Sequence, residues 1–259
     1  MKTPTLNQYS ACRQLLRVMP VIAVIGLLAS AVFAPDVHAR GQESSGPAMI
    51  DLGTAVNYKI LAGAAITAPG AQIYGNIGAE AAITIPGAKI TGSIEAGAAL
   101  TPAIMGNTYS NNVPAALGDL RVAYEEARAV TSSTSISITT SLSGRVLKSG
   151  LYNAPGVLSV DGSTEHLTLD GEHNSANVWI FQAPSLAVAA GRRIILINMA
   201  DYNKVFWVID GAVTIGAGVV MRGNIMSKGA ITTGAHSEVH GGLYSVDAAV
   251  TTGDGNIIL

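Results

Sequence analysis

One tripeptide, Ala-aliphatic-Thr, recurs in two regularly spaced sets of three in this 259-residue chain. Ala65-Ile66-Thr67, Ala82-Ile83-Thr84 and Ala99-Leu100-Thr101 follow one another at steps of 17 residues. After a long gap, Ala212-Val213-Thr214, Ala230-Ile231-Thr232 and Ala249-Val250-Thr251 return at steps of 18 and 19. A β-branched triplet cannot bury its apolar side alone, so a fixed period of this length implies stacked turns, each one a rung of a β-helix. Along an extended strand side chains alternate. The central Ile, Leu or Val therefore points into the core, while the flanking Ala and Thr point out.

The segments between the triplets fit the same scheme. "TAPGAQIYGNI", "TIPGAKITGSI" and "TIGAGVVMRGNI" align as strand, Gly-containing corner, second strand and Gly corner. Val157-Leu158-Ser159 and Ser185-Leu186-Ala187 occupy the triplet phase and read as rungs with a degenerate outer pair. "NVWIFQ" and "KVFWVI" carry too many large side chains to face water on both sides. A different periodicity runs from Pro114 to Val130. There Ala116, Leu120, Ala123, Ala127 and Val130 recur at helical spacing, and Asp119, Arg121, Glu125, Glu126 and Arg128 fall mostly elsewhere. This predicts one amphipathic helix, over about 114–130, that must bury its stripe against one face of the solenoid.

The first 39 residues read as a secretory signal. Lys2, Arg13 and Arg17 form a basic start, Val21 to Ala34 an apolar run, and Val37-His38-Ala39 a small-x-small cleavage site. The apolar run has 14 residues, short of the ~20 that span a membrane. Residues 40–259 are then one exported domain, destined for the medium or the periplasm. The only cysteine, Cys12, lies inside the leader, so the mature chain can form neither a disulfide nor a thiolate metal site. Without the leader, 12 Lys and Arg face 16 Asp and Glu, a formal charge of −4. That balance, with no basic patch, excludes nucleic acid and an anionic membrane as partners.

The stretches "LGTAVNYKILAGAAIT", "LKSGLYN", "NVWIFQAPSL", "KVFWVIDGAVTIGAGVVMRGNIMSKGAITTGAHSEVHGGLYS" and "AAVTTGDGNIIL", in that order, resemble the microbial ice-binding (antifreeze) protein family. The resemblance covers almost the whole mature chain. It implies a mainly β fold, a right-handed discontinuous β-solenoid with one long α-helix packed alongside. Amino-terminal turns would then stack against carboxy-terminal ones, and both triplet sets would belong to one wall. It also implies a non-enzymatic protein whose partner is the ice surface, acting as a monomer without a cofactor, and inhibiting ice growth and recrystallisation. Family members often carry a T-A/G-X-T/N pattern on the ice-binding face. Here the tetrapeptides are AAIT, AAIT, AALT, GAVT, GAIT and AAVT, so the last Thr is kept and the first is Ala or Gly. The residues carried over as ice-binding are Ala65, Thr67, Ala82, Thr84, Ala99, Thr101, Ala212, Thr214, Ala230, Thr232, Ala249 and Thr251.

Physical chemistry points the same way. Stacked strands lie about 4.8 Å apart and outward positions along a strand about 6.7 Å apart, so such a wall is a two-column grid of methyls and hydroxyls. Thr is stiff at χ1, and pinning its hydroxyl costs little side-chain entropy. The second strand of each rung carries Gln72 and Tyr74, Lys89 and Thr91, Val220 and Arg222, or Glu238 and His240, a mixed and charged row. Only the triplet wall is kept free of charge.

Other constellations are weaker. His236, Glu238 and His240 share a strand side, but neighbouring side chains there are ~6–7 Å apart, awkward for one metal ion. Asp161, Asp170, Asp201, Asp210, Asp247 and Asp254 lie beside Gly or in turn-like segments, without a calcium-loop pattern, and read as turn residues. A carbohydrate-directed solenoid, lyase or adhesive, and a structural surface protein are the competing functions. A lyase needs a groove of clustered acidic and basic groups, which the sequence does not offer.

Overall fold

A computed structural model describes residues 46–101, 112–132, 134–139, 141–162 and 165–259. The predicted leader, residues 1–39, lies outside the described residues. Three strands form each turn, and the chain stacks its turns so that like strands build three walls. All strand pairs are parallel, and consecutive turns bring equivalent residues side by side. Ile60 pairs with Leu243, Ile77 with Ile94, and Trp207 with Ile225.

The order of the turns is not the order of the chain. On the first wall, nine strands run Ile94–Ala96, Asn76–Ala79, Tyr58–Ala62, Leu243–Ser245, Asn224–Ser227, Val205–Ile209, Trp179–Ala183, Gly150–Asn153 and Ile136–Ser137. The amino-terminal turns therefore sit on the carboxy-terminal ones, with Tyr58–Ala62 against Leu243–Ser245. Gly63 N–H to the Ser245 carbonyl (2.9 Å) and Tyr244 Oη–H to the Tyr58 carbonyl (3.0 Å) join the seam. This is the discontinuous solenoid that the sequence resemblance implies.

Helix α1 (Asn112–Ala129) packs on the outside of this first wall. It begins before the predicted Pro114 because proline tolerates the first turn, where backbone N–H groups have no intrahelical acceptor. Val113, Ala116, Leu117, Leu120, Ala123, Tyr124 and Ala127 are buried against a shell that includes Leu61, Ile180, Phe206, Val208 and Met226. The wall is thus covered on both faces, which accounts for the two bulky strands. Ile180, Phe206 and Val208 face the helix, whereas Trp179, Phe181, Val205 and Trp207 fill the solenoid interior. Fully burying one such side chain contributes about 1.5–3 kcal/mol. Inside, Tyr152, Phe181 and Trp207 stack, with ring centroids 5.1 and 4.3 Å apart.

Polar contacts set the helix register. Asp210, Lys228 and Asp247 occupy successive turns at one corner. Asp210 takes Tyr124 Oη (2.6 Å) and Arg128 (2.8 Å), Lys228 pairs with Glu125 (2.8 Å), and Asp247 with Arg121 (3.0 Å). Exposed pairs contribute little singly, but the alternation of sign on both elements disfavours a shifted helix. The buried Gln182 amide donates to the carbonyls of Ala127, Arg128 and Val130, satisfying the end of the helix.

Candidate functional site: the threonine ladder

The second wall has eight strands, in the order Val157–Val160, Ser185–Val188, Val213–Ile215, Ile231–Thr233, Val250–Thr252, Ile66–Thr67, Ile83–Thr84 and Leu100–Thr101. Its register puts the six triplet threonines in one unbroken column. Thr214 pairs with Thr232, Thr232 with Thr251, Thr251 with Thr67, Thr67 with Thr84, and Thr84 with Thr101. The two sequence sets, more than a hundred residues apart, meet at Thr251 and Thr67. The column continues past Thr214 to Ala187 and Ser159.

The alanines form the adjoining column. Carbonyls of Ala212, Ala230, Ala249, Ala65, Ala82 and Ala99 each accept a backbone N–H from the neighbouring turn, at 2.8–3.1 Å. Those donors are the central residues Leu186, Val213, Ile231, Val250, Ile66 and Ile83, all buried. Alternation thus leaves every Ala and Thr of the six triplets wholly or partly exposed. Leu100, in the last turn, is half-buried because no described strand covers its free side. Among the described residues, none of the six Thr hydroxyls has a hydrogen-bond partner.

Next to the ladder the chain turns a corner that only small residues fit. A Cβ on Gly216, Gly234 or Gly253 would stand 2.4 Å from a backbone nitrogen of the adjacent turn. These glycines allow the turns to close up beside the threonines.

The remaining candidates fall elsewhere. On the third wall the outward row Gln72, Lys89, Val220 and Glu238 is mixed, as expected from sequence. Glu238 Oε1 lies 2.5 Å from His240 Nε2, and His236 sits apart in a corner with φ 56°. Among the described residues no three His, Cys, Asp or Glu side chains gather as a metal site. The acidic residues divide in role. Asp170 accepts from Glu172 N–H (2.9 Å) and Asn198 Nδ2 (2.8 Å), and Asp201 from Asn203 N–H (2.9 Å), as turn residues do. Asp210 and Asp247 instead hold the helix through Arg128 and Arg121, a role that the glycine after Asp210 concealed in the sequence. Concavities of about 360 Å³, around Tyr58, Asn76 and Glu95, and about 520 Å³, around Lys148 and Tyr152, include no ladder residue.

The family model described as ice-binding-like matches residues 60–258, which takes in every strand just described except the start of the first. The chain belongs to the ice-binding-like family. Ice-binding protein K1-A of Typhula ishikariensis is 33% identical over 221 residues, 80% of this chain and 85% of that one. A second protein of the same fungus, ice-binding protein K3-B1, is 32% identical over 225 residues, 82% and 86% of the two chains. The crystal structure of an ice-binding protein from the Antarctic ascomycete Antarctomyces psychrotrophicus superposes with a TM-score of 0.69 at 27% identity, covering 81% of this chain and 97% of that one.

Within this ice-binding-like fold several participants escaped the sequence reading. Leu117 and Tyr124 belong to the buried helix stripe, and Tyr124 carries a hydroxyl whose ionisation is suppressed, first by burial and then by the Asp210 carboxylate. Gln182 was a single amide in an apolar strand, and that is the one signal that could have marked it. Ser159 and Asp161, two residues apart, bond to each other at the far end of the ladder (3.1 Å).

Proposed function

We propose that this chain is an exported ice-binding protein that adsorbs to ice through the Ala-x-Thr wall and thereby inhibits ice growth and recrystallisation. The observation that carries the reading is the register: six threonines from two distant segments share one column, with hydroxyls that have no partner within the described protein. At about 4.8 Å per turn the column extends about 24 Å. Each contact with ice exchanges one water neighbour for another and is weak. On a rigid body, however, the first contact brings the rest to high effective concentration, so weak contacts add up. The solenoid supplies the rigidity, since every triplet strand except the last, where Leu100 is half-buried, is backed by a fully buried aliphatic side chain, and the strands are tied by backbone hydrogen bonds.

Family membership and the names of the relatives favour ice over carbohydrate as the ligand. In this reading residues 1–39 are removed on export, and the mature chain acts as a monomer without metal or catalysis. The test is a recrystallisation assay on the mature protein: ice grains should stay small at micromolar protein, and grain growth equal to that in buffer would refute the proposal.

A further inference from the structure

The six triplets need not mark the extent of the contact, because the wall has two more turns. In the same column Ala187 follows Thr214, and Ser159 follows Ala187. The two positions differ in chemistry. Ala187 is half-buried, offers a methyl, and has Ser185 before it and Ala189 near it, with no charge on that turn of the wall. Ser159 has a hydroxyl, but it donates to Asp161 Oδ2 at 3.1 Å. Nearby serines are engaged as well: Ser141 Oγ lies 3.4 Å from both the Ser159 carbonyl and Asp161 N, and Ser143 Oγ accepts Gly162 N–H at 2.7 Å.

We propose that the ice contact runs seven turns, from Thr101 to Ala187, and is closed at the next turn by Asp161, whose exposed carboxylate engages the Ser159 hydroxyl. This rests on the Ala-x-Thr wall being the ice-binding face. An ionised carboxylate keeps its hydration strongly, and stripping that water to lay a lattice plane against it is unfavourable. The hydrogen bonds from Ser141 and Ser159 hold the Asp161 carboxyl below its ordinary range, so it stays charged at neutral pH. Ala187 presents no such barrier. Its methyl takes the place of a threonine Cβ, one bond below the threonine methyls, and its backbone is in register with theirs.

The test compares Ala187→Tyr, Ser159→Tyr and Thr232→Tyr in the mature protein, each checked for an unchanged circular-dichroism melting curve. Ala187→Tyr should raise the concentration needed to inhibit recrystallisation by about two- to tenfold, the equivalent of one or two lost contacts. Ser159→Tyr should leave it within about twofold. Should Ala187→Tyr disturb folding, Ala187→Thr serves instead. It lengthens the threonine column by one turn and should improve inhibition, and no improvement would count against the proposal. Full activity of Ala187→Tyr would end the contact at Thr214, and equal damage from Ser159→Tyr would remove the boundary role of Asp161. Either result overturns this inference while Thr232→Tyr stays impaired by roughly tenfold or more. A fully active Thr232→Tyr would overturn the face itself.

Discussion

Thr232 is the position at which the ladder is most sensitive to intrusion. It is exposed, and it lies in register between Thr214 and Thr251, while Ile231 beside it does the packing. Thr232→Tyr places a rigid ring above the plane and removes nothing from the core, so stability should change by no more than about 0.5 kcal/mol. The ring also lifts the neighbouring turns off a flat lattice. A gap of 0.5–1 Å already forfeits about a quarter to a half of a dispersion contact, and a tyrosine opens more than that. Three of the six threonine turns, those of Thr214, Thr232 and Thr251, therefore disengage together. At the low end of a net hydrogen bond, about 0.5 kcal/mol per turn, the loss is about 1.5 kcal/mol, or roughly tenfold in affinity. Recrystallisation inhibition, measured as the protein concentration that halves grain growth, should rise at least that far. Thr91→Tyr, exposed on the third wall, is the matched control. If both variants melt like the parent and inhibit equally, the argument from the ladder is wrong.

Gln182→Ala should lower stability by about 1–3 kcal/mol in thermal melts, since it strands the carbonyls at the end of α1; an unchanged melting temperature would show that water replaces the amide. Asp119, held down first by the Thr54 hydroxyl and then by the Thr54 N–H, and Asp170, held down first by Glu172 N–H and then by Asn198, have folded-state pKa values below the ordinary 3.8. Their contribution is present above that value and lost as pH falls through the depressed pKa. Melting temperature should therefore hold between about pH 5 and 8 and drop below about pH 4, and a maximum below pH 4 would contradict the sign. EDTA and the double substitution His236→Ala with His240→Ala should leave recrystallisation inhibition intact, because that corner and strand lie on the third wall; loss of activity with EDTA would reveal a metal requirement.

The triplets were legible because Ala, Ile and Thr differ in preference for core and surface, and alternation along a strand converts that difference into direction. Position in the stack was not legible in the same way. A period near 18 says that turns repeat but not which copy touches which, and only the family resemblance implied that Thr67 adjoins Thr251. Polar contacts at long sequence separation were hidden for a related reason. Asp210, beside Gly211, looks like a turn residue, and its role depends on Arg128 and Tyr124, 82 and 86 residues away. Tyr124 and Leu117 were missed because the helix lies on a broad wall and buries a wider stripe than the narrow alanine row suggested.

The most direct measurement is partition into slowly growing ice. The mature protein, labelled on the amino terminus, should enter an ice hemisphere grown from dilute solution. A variant carrying Thr214→Lys, Thr232→Lys and Thr251→Lys should be left in the liquid while keeping the parent's circular-dichroism spectrum. Equal incorporation of the two proteins, or exclusion of the parent, would contradict the claim that this chain binds ice through its threonine ladder.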